Sequence, residues 1–566
     1  MSGDSISLTP RFSGVMAAPR RTQTASAVSG QEISSRSLGQ TAEAVQLRYS
    51  HPSTPLKRGV NESTRKGVTR MNRYLFIVLA GISLFPAGCT MAPKYARPAA
   101  PVPAQWPTGP AYAQTNATNV STTIVSSVPD LNWRQFFTDD KLRAIIEQAL
   151  TNNRDLRAAA LNVEKARALY GIQRSELAPV VNGTATAGKE RIAKDFSGTG
   201  EPETMGTYSA SLGAASWELD FFGRIRSLSQ EALQQYFATE QARRNAQIVL
   251  ISSVAQAYLG LVADRENLAI AQATLQTQQA SYDLVQRRFD LDLATQLDVS
   301  RAEVPVDTAR RDVATYTQQI AKDENALNLL VGSPTSAANW SAAPTQLSGV
   351  TPPKAIGAGL SSEVLLRRPD VVQAEDLLKA ANADIGAARA NFFPRISLTA
   401  ALGTESSELD RLFKSGSGTW SYTPQVVLPI FDPRTWYTLR ASKVQREIAV
   451  AQYEKAIQSA FRDVADALAV RGTVDRQVAA QASLVNASAE TYRLAYSRYD
   501  KGLDSFLSVL DAQRSLFAAQ QGLVLIQLSK RANEVKLYEV LGGGWEVEKP
   551  VALAAKSGSS PEANRK

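Results

Sequence analysis

The chain has 566 residues, 44% hydrophobic and 20% charged, with 62 Lys and Arg against 53 Asp and Glu; that length suggests roughly two to four domains. It carries one cysteine, Cys89, and one histidine, His51, so no intrachain disulfide can form. Ser-His-Asp, Cys-His and His- or thiolate-rich zinc chemistry are excluded beyond residue 89. Of the net charge of +9, +6 falls on residues 1–70 and +1 on residues 71–88, which leaves +2 for the body and no basic stripe for nucleic acid.

Residues 1–70 are rich in Ser, Thr, Gly and Arg and lack apolar periodicity. They read as a disordered extension or as a start misassigned upstream of Met71. From Met71 the pattern is that of an address. Arg73 supplies a positive start, Leu75 to Phe85 form an apolar run too short to span a bilayer, which takes ~20 residues, and Ala87-Gly88 precede Cys89. Residues 71–88 resemble a bacterial lipoprotein signal peptide, with Cys89 acylated as the mature N-terminus. Pro86 departs from that pattern, and cleavage after Ala92 is the alternative. Residues 93–130 hold seven prolines, six of them ahead of a Thr/Ser/Asn tract, an extended wrap rather than a core.

The body is one unit written twice. Residues 288–332 and 498–542 align without a gap at an offset of 210. Arg288-Phe289-Asp290 pairs with Arg498-Tyr499-Asp500, and Leu330-Val331-Gly332 with Val540-Leu541-Gly542. Earlier, Ala178-Pro179-Val180 matches Phe393-Pro394-Arg395, and the stretch Trp217 to Phe222 matches Val426 to Phe431. Each half therefore reads helix, strand pair, very long helix, break, helix. Ile248, Ile251, Ala255, Tyr258 and Val262 recur at helical spacing, and residues 225–291 contain no Pro and only Gly260. At ~1.5 Å per residue such a helix extends on the order of 100 Å.

The strand segments are 207–217, 395–403 and 420–428. In the second, Ile396, Leu398, Ala400 and Leu402 alternate with Ser397, Thr399, Ala401 and Gly403. Segments of ~10 residues, apolar on one face and small-polar on the other, suit a membrane β-barrel with a wet interior. Two strands per half make four per chain, and four strands cannot close around a lumen in lipid, so closure demands several chains. The competing reading is a four-stranded soluble sheet packed on a helix.

The ordered stretches Cys89 to Pro98, Trp133 to Phe137, Asn153 to Leu156, Trp217 to Arg224, Arg367 to Asp370, Phe393-Pro394, Leu428 to Asp432 and Leu510 to Arg514 resemble the outer-membrane factors of the TolC/OprM type. The likeness is to the lipoprotein branch of tripartite efflux systems built on inner-membrane transporters of the resistance-nodulation-division (RND) type. The resemblance implies a mixed α and membrane-β fold. A homotrimeric twelve-stranded outer-membrane β-barrel, four strands per chain, continues as a long periplasmic α-helical barrel with a mixed equatorial domain. Segment 89–137 would be the N-terminal wrap, 138–332 the first repeat, 333–360 an equatorial linker, 361–542 the second repeat and 543–566 an equatorial tail.

The resemblance further implies a passive exit duct for drugs or other toxic small molecules, lipid-anchored in the outer membrane and reaching into the periplasm. It would be opened by a periplasmic adaptor and an RND-type pump, without cofactor or catalysis. A duct for protein or signal secretion is the alternative. The family's periplasmic gate maps onto Leu507, Asp511 and Arg514, spaced to share one helical face; an ordinary solvated Asp–Arg pair is the plain reading of the same residues. The adaptor-contact tips map onto Arg288, Asp292 and Leu297 in the first half and Arg498, Gly502 and Leu507 in the second. Gly502 suits a left-handed helix end, whereas Asp292 tolerates one less well. Pro433 after Asp432 departs from the family and predicts a tighter strand-to-helix corner.

Overall fold

The computed structural model describes residues 90–112, 131–333, 343–356 and 361–543, all within the unit Phe85–Lys566. The expectations for the extension 1–70, the signal segment 71–88, Cys89 and all but the first residue of the tail 543–566 lie outside the described residues.

Two sets of elements follow each other in one order. The first runs α1 (Asp140–Asn152), α2 (Arg154–Ser175), β1 (Val181–Ile192), β2 (Glu203–Glu218), α3 (Arg224–Asp290) and α4 (Gln296–Val331). The second opens on a short 3-10 segment, Ser362–Arg367. It continues as α5 (Pro369–Ala390), β3 (Arg395–Ser406), β4 (Gly418–Val427), α6 (Pro433–Asp500) and α7 (Phe506–Val540). α2 and α5 have 22 residues each, and α3 and α6 have 67 and 68, so each long helix is ~100 Å long.

Short-range chemistry sets these ends. The Asn153 side chain accepts the Leu156 N–H at 2.9 Å and caps α2. Pro369 and Pro433 open α5 and α6, where the missing N–H would have had no helical partner. Pro433 follows Asp432, which accepts the Arg434 N–H at 3.0 Å; the proline starts the helix, but the strand-to-helix connection 428–432 is as long as its first-half counterpart 219–223. At the matching corner of the first half, Gly223 (φ 75°) leads into α3.

The four strands form one antiparallel sheet in the order β1-β2-β3-β4. Each sequence-expected strand is present with shifted ends: β2 begins at Glu203, β3 continues to Ser406, and β4 starts at Gly418 and leaves out Leu428. These ends follow pairing partners rather than side-chain alternation, which is why the pattern alone misplaced them. Pro424 lies inside β4 opposite Leu398; β4 is an edge strand within one chain, so the missing N–H breaks no bond of this sheet. Between Ala214 and Trp217 the register shifts by a bulge. Ser216 there adopts φ 53° and its N–H donates to Thr399 Oγ1 at 3.0 Å.

The main core lies away from the sheet. Trp133, Phe136, Ile146, Tyr258, Leu327, Leu347, Leu378, Tyr453, Val464 and Tyr538 belong to one buried cluster that joins both halves. Phe136 and Tyr538 stack at 4.0 Å, and Tyr538 donates to the Leu131 carbonyl at 2.7 Å. Among the described residues only α3 is long and apolar enough to cross a membrane, yet 61% of its apolar window is buried inside the protein. That window is a core segment.

Candidate functional site

Paired residues on neighbouring antiparallel strands point to the same side of a sheet, so the register sorts the side chains into two faces. Leu212, Leu402 and Trp420 share one row, and Ala214, Ala400 and Tyr422 the next, with Leu398, Ile396, Pro424 and Val426 on the same side. Leu212, Leu402, Trp420, Tyr422 and Val426 are all exposed in the single chain. The opposite face carries Thr184, Thr186, Ser209, Ser211, Thr399, Ser421 and Thr423, and Thr186 and Ser209 hydrogen-bond across it at 2.6 Å. One side of the sheet is thus apolar and bare, the other lined with hydroxyls.

Where strands give way to helices the chemistry changes to charge. Arg224 binds Glu218 through two bonds of 2.8 Å, Arg395 approaches the same carboxylate at 3.4 Å, and Arg226 pairs with Asp220 at 3.1 Å. Glu218, Asp220, Arg224 and Arg395, with Asp432 and Arg434, border a junction cavity of about 580 Å³.

At the far ends of the long helices the two halves make the same turn. Asp292 N–H donates to Phe289 O and Leu293 N–H to Arg288 O; Gly502 N–H donates to Tyr499 O and Leu503 N–H to Arg498 O. This pair of bonds is the Schellman closure, which requires a left-handed residue. Gly502 has φ 72° and Asp292 φ 61°, so the aspartate occupies the strained position that its sequence predicts. Thr295 and Asp298 then close a reciprocal capping box at the start of α4, and the Thr295 bonds hold the Asp298 carboxyl below the usual range.

The two tips also touch. Arg288 donates to the Tyr499 hydroxyl at 2.8 Å and lies over its ring, and Tyr499 packs on Phe506 at 5.1 Å. Leu291, Leu293, Leu297, Leu503 and Leu507 remain exposed around them. In the second tip Arg498 pairs with Asp504 at 3.2 Å.

Just beyond, Arg514 binds Asp511 at 2.8 Å, with side chains 81% and 57% exposed. Leu507 lies one turn before Asp511 on α7 and is also exposed. The structure therefore brings Leu507, Asp511 and Arg514 together on one exposed stretch, and places Leu507 next to both the tip and this pair.

A third constellation escaped the sequence reading. Residues 90–112 run extended along α5 and α6. Arg389 donates to Met91 O, Asn382 to Pro93 O, Ser362 to Pro103 O and Arg476 to Pro110 O. Trp106 stacks on Phe461 at 5.0 Å. The centre of the clamp is Glu375, which accepts two bonds from Arg97 at 2.9 and 2.6 Å and one from Tyr95 at 3.1 Å. Burial pushes this carboxyl up, but Arg97 and Lys379 together with Tyr95 hold it below the usual range. Nothing in the local pattern marks Glu375, because its partners lie in a proline-rich stretch remote in sequence. At the start of the segment, Thr90 lies 3.4 Å from Ser227 in the first turn of α3, beside the end of the sheet.

Among the described residues no cluster of potential metal ligands occurs. The sequence matches the family model described as "Outer membrane efflux protein" over residues 145–333 and 360–543. It is 46% identical over 468 residues to the probable efflux pump outer membrane protein TtgC of Pseudomonas putida, covering 82% of this chain and 95% of that protein. It is 41% identical to outer membrane protein OprJ of Pseudomonas aeruginosa, with the same shares of each chain. A membrane protein from Pseudomonas aeruginosa aligns in structure with a TM-score of 0.75 at 40% identity, over 82% of this chain and all of that one. The open state of the Neisseria gonorrhoeae MtrE outer membrane channel aligns with a TM-score of 0.71 at 38% identity, over 81% and 99%.

Proposed function

The chain belongs to the outer membrane efflux protein family and is the outer-membrane channel component of an efflux pump, and from that premise we propose how it works. Three copies close a twelve-stranded barrel, since four strands with two bare edges leave unpaired backbone that lipid does not tolerate. The apolar face of Leu212, Leu402 and Trp420 meets lipid, and the hydroxyl face lines the water-filled duct. The long helices continue the duct into the periplasm. Cargo passes without catalysis, and relatives named for toluene, solvent and antibiotic efflux favour small toxic molecules over secreted protein. The single observation that carries this reading is the sheet register, which separates a bare apolar face from a hydroxyl face and leads directly into the long helices.

The remaining roles follow from position. Leu507, Asp511 and Arg514 form the periplasmic gate, with three-fold rings of Leu507 and Asp511 whose repulsion Arg514 tempers. The tips, Arg288, Asp292 and Leu297 with Arg498, Gly502 and Leu507, receive the periplasmic adaptor, which links the duct to an RND-type inner-membrane transporter. Acylation at Cys89 anchors the chain: Thr90, the next residue, sits beside the end of the sheet, where the membrane surface would lie.

The test is a deletion strain complemented from Met71, read by susceptibility and dye retention, together with single-channel recording of Asp511→Ala. The expected result is hypersensitivity to several unrelated compounds that the gene restores, and altered conductance and cation preference in the variant. Unchanged susceptibility would count against small-molecule efflux, and an unchanged channel would remove Asp511 from the gate.

A further inference from the structure

Within the strands, charge is sorted by sign as well as by face. The register puts Lys189 and Arg191 of β1 on the apolar side of the sheet, opposite Gly206 and Thr204. At the same end, Glu190 of β1, Glu203 of β2 and Glu405 of β3 alternate onto the hydroxyl side. Among the strand residues these two cations are the only charged groups on the apolar side. Both are exposed, and neither is engaged in an ion pair among the described residues. The cations of the two strand connections beyond them differ. Lys194 pairs with Glu201 at 3.4 Å, Arg411 with Glu408 at 2.8 Å and Lys414 with Asp410 at 2.6 Å. Each of these has a carboxylate, whereas alternation turns Glu190 away from both of its neighbours.

Height on the sheet separates the pair from an ordinary solvated strand end. From Ile396 to Ser406 the apolar side of β3 runs ten residues, ~33 Å along the strand and ~25 Å tall at a tilt of ~40°, the height of the apolar band of a membrane barrel. Ser406, Tyr208 and Ala187 form its last row, with an aromatic ring where interfaces favour one, and Lys189 begins the next. At the helix end the last apolar row is Ile396 and Val426, and Arg395 beside it lies on the hydroxyl side. Unpaired strand cations on the apolar side therefore stand at one rim only, the one remote from the helices. Below them Ala187, Ala185 and Gly183 descend β1 on the same side. A hollow of about 420 Å³ there has Gly183, Ala185, Ala210, Leu212, Leu402 and Phe413 in its lining, a bed of small and apolar groups that suits an acyl chain.

We propose that Lys189 and Arg191 hold the headgroup phosphate of an anionic lipid in the outer leaflet, with an acyl chain of that lipid lying along Ala187, Ala185 and Gly183. Two residues apart on one strand, their backbones are ~7 Å apart, so an ammonium and a guanidinium can close on one phosphate, the guanidinium through paired N–H bonds. Their long stems carry the charges up to the headgroup while the methylenes stay in the apolar layer. Glu190, Glu203 and Glu405, turned toward the duct, keep like charge off the phosphate. The inference rests on the barrel proposed above, which sets the helix-remote rim on the outer side of the membrane, and it adds a ligand that the barrel alone does not require.

The experiment uses full-length protein purified in detergent, with lipid A as the probe and bound lipid counted by native mass spectrometry. Wild type is expected to retain lipid A. Near an anionic lipid surface each cation is worth about fivefold in affinity, so Lys189→Gln and Arg191→Gln should each weaken retention about fivefold and the double variant about thirtyfold. Lys194→Gln with Lys414→Gln removes two cations that already have partners and should leave retention unchanged. All these side chains are exposed, so every variant should keep its heat-resistant oligomers. Millimolar inorganic phosphate should not displace the lipid; displacement would assign the site to a free anion and overturn the lipid. Equal retention by wild type and the double variant, including none by either, would also overturn the proposal, as would an equal loss in the loop variant. Lys194→Cys separates these outcomes from failure of the barrel, because a membrane-impermeant maleimide should label it in intact cells. Labelling with lipid retention equal in wild type and double variant would overturn the lipid site alone. Absence of labelling would overturn both the orientation of the barrel and the site.

Discussion

Replacing Arg97 tests the clamp that ties the N-terminal segment to the body. Glu375 is 4% exposed, whereas Arg97 is 50% exposed, so Arg97→Ala strips a buried carboxylate of its two best bonds. Breaking a fully buried pair costs ~3–5 kcal/mol. Here solvent already screens the arginine, and Tyr95 and Lys379, the latter at 3.6 Å, still face the carboxylate. The expected loss is therefore about 2 kcal/mol, or about thirtyfold in the detached fraction of residues 90–112. Hydrogen exchange of peptides from that segment reads the detachment directly.

Glu375→Gln keeps the shape and removes the charge, so the double variant should lose less than the sum of the single losses. Acid should mimic the mutation. A carboxyl held below its unfolded value contributes fully above the unfolded pKa, about 4.3, and loses that contribution as pH falls through its folded value. Exchange should then rise below about pH 4 in the wild type and change little in Glu375→Gln. Wild-type protection in Arg97→Ala, or strict additivity in the double variant, would refute the clamp.

Three further outcomes are expected. Leu402→Arg on the apolar face should cost about 2–4 kcal/mol per chain near mid-bilayer and deplete heat-resistant oligomers in isolated outer membranes, whereas Ser421→Lys on the opposite face should leave them intact; equal effects would contradict the assignment of faces. At the tips, Asp292→Gly should strengthen the α3–α4 turn by about 0.5–1 kcal/mol and Gly502→Val should weaken its counterpart by about 1–2 kcal/mol, because only backbone strain is at stake; a Cβ at Gly502 meets nothing within 4 Å, and local amide exchange measures both. Asp264 on α3 is pushed up to about 6 by burial and by the hydrogen bond and charge of Asp323 on α4, whose Oδ2 is buried without a partner among the described residues. A raised carboxyl makes the folded state bind the extra proton, so stability should fall by about 1 kcal/mol, after allowance for solvent screening, as pH rises from 4 to 7; Asp323→Asn should flatten that dependence in thermal melts.

Sequence alone determined what is local or periodic. The offset of 210 announced two copies of one unit, the long Pro-free runs became α3 and α6, and the alternation at Ile396, Leu398, Ala400 and Leu402 separated two faces of a strand. Asp292 and Gly502 could be read as left-handed turns because a helix end is fixed by bonds spanning only five residues. Strand ends were less legible, since pairing partners set where a strand stops. Only the tertiary structure decided the rest. Glu375 meets Arg97 across 278 residues, Asp264 meets Asp323 between two helices, and Gly386 is forced to be small by Ser227 and Ala92. These contacts depend on how distant segments pack side by side, and no spacing within a segment encodes which neighbour that packing will bring.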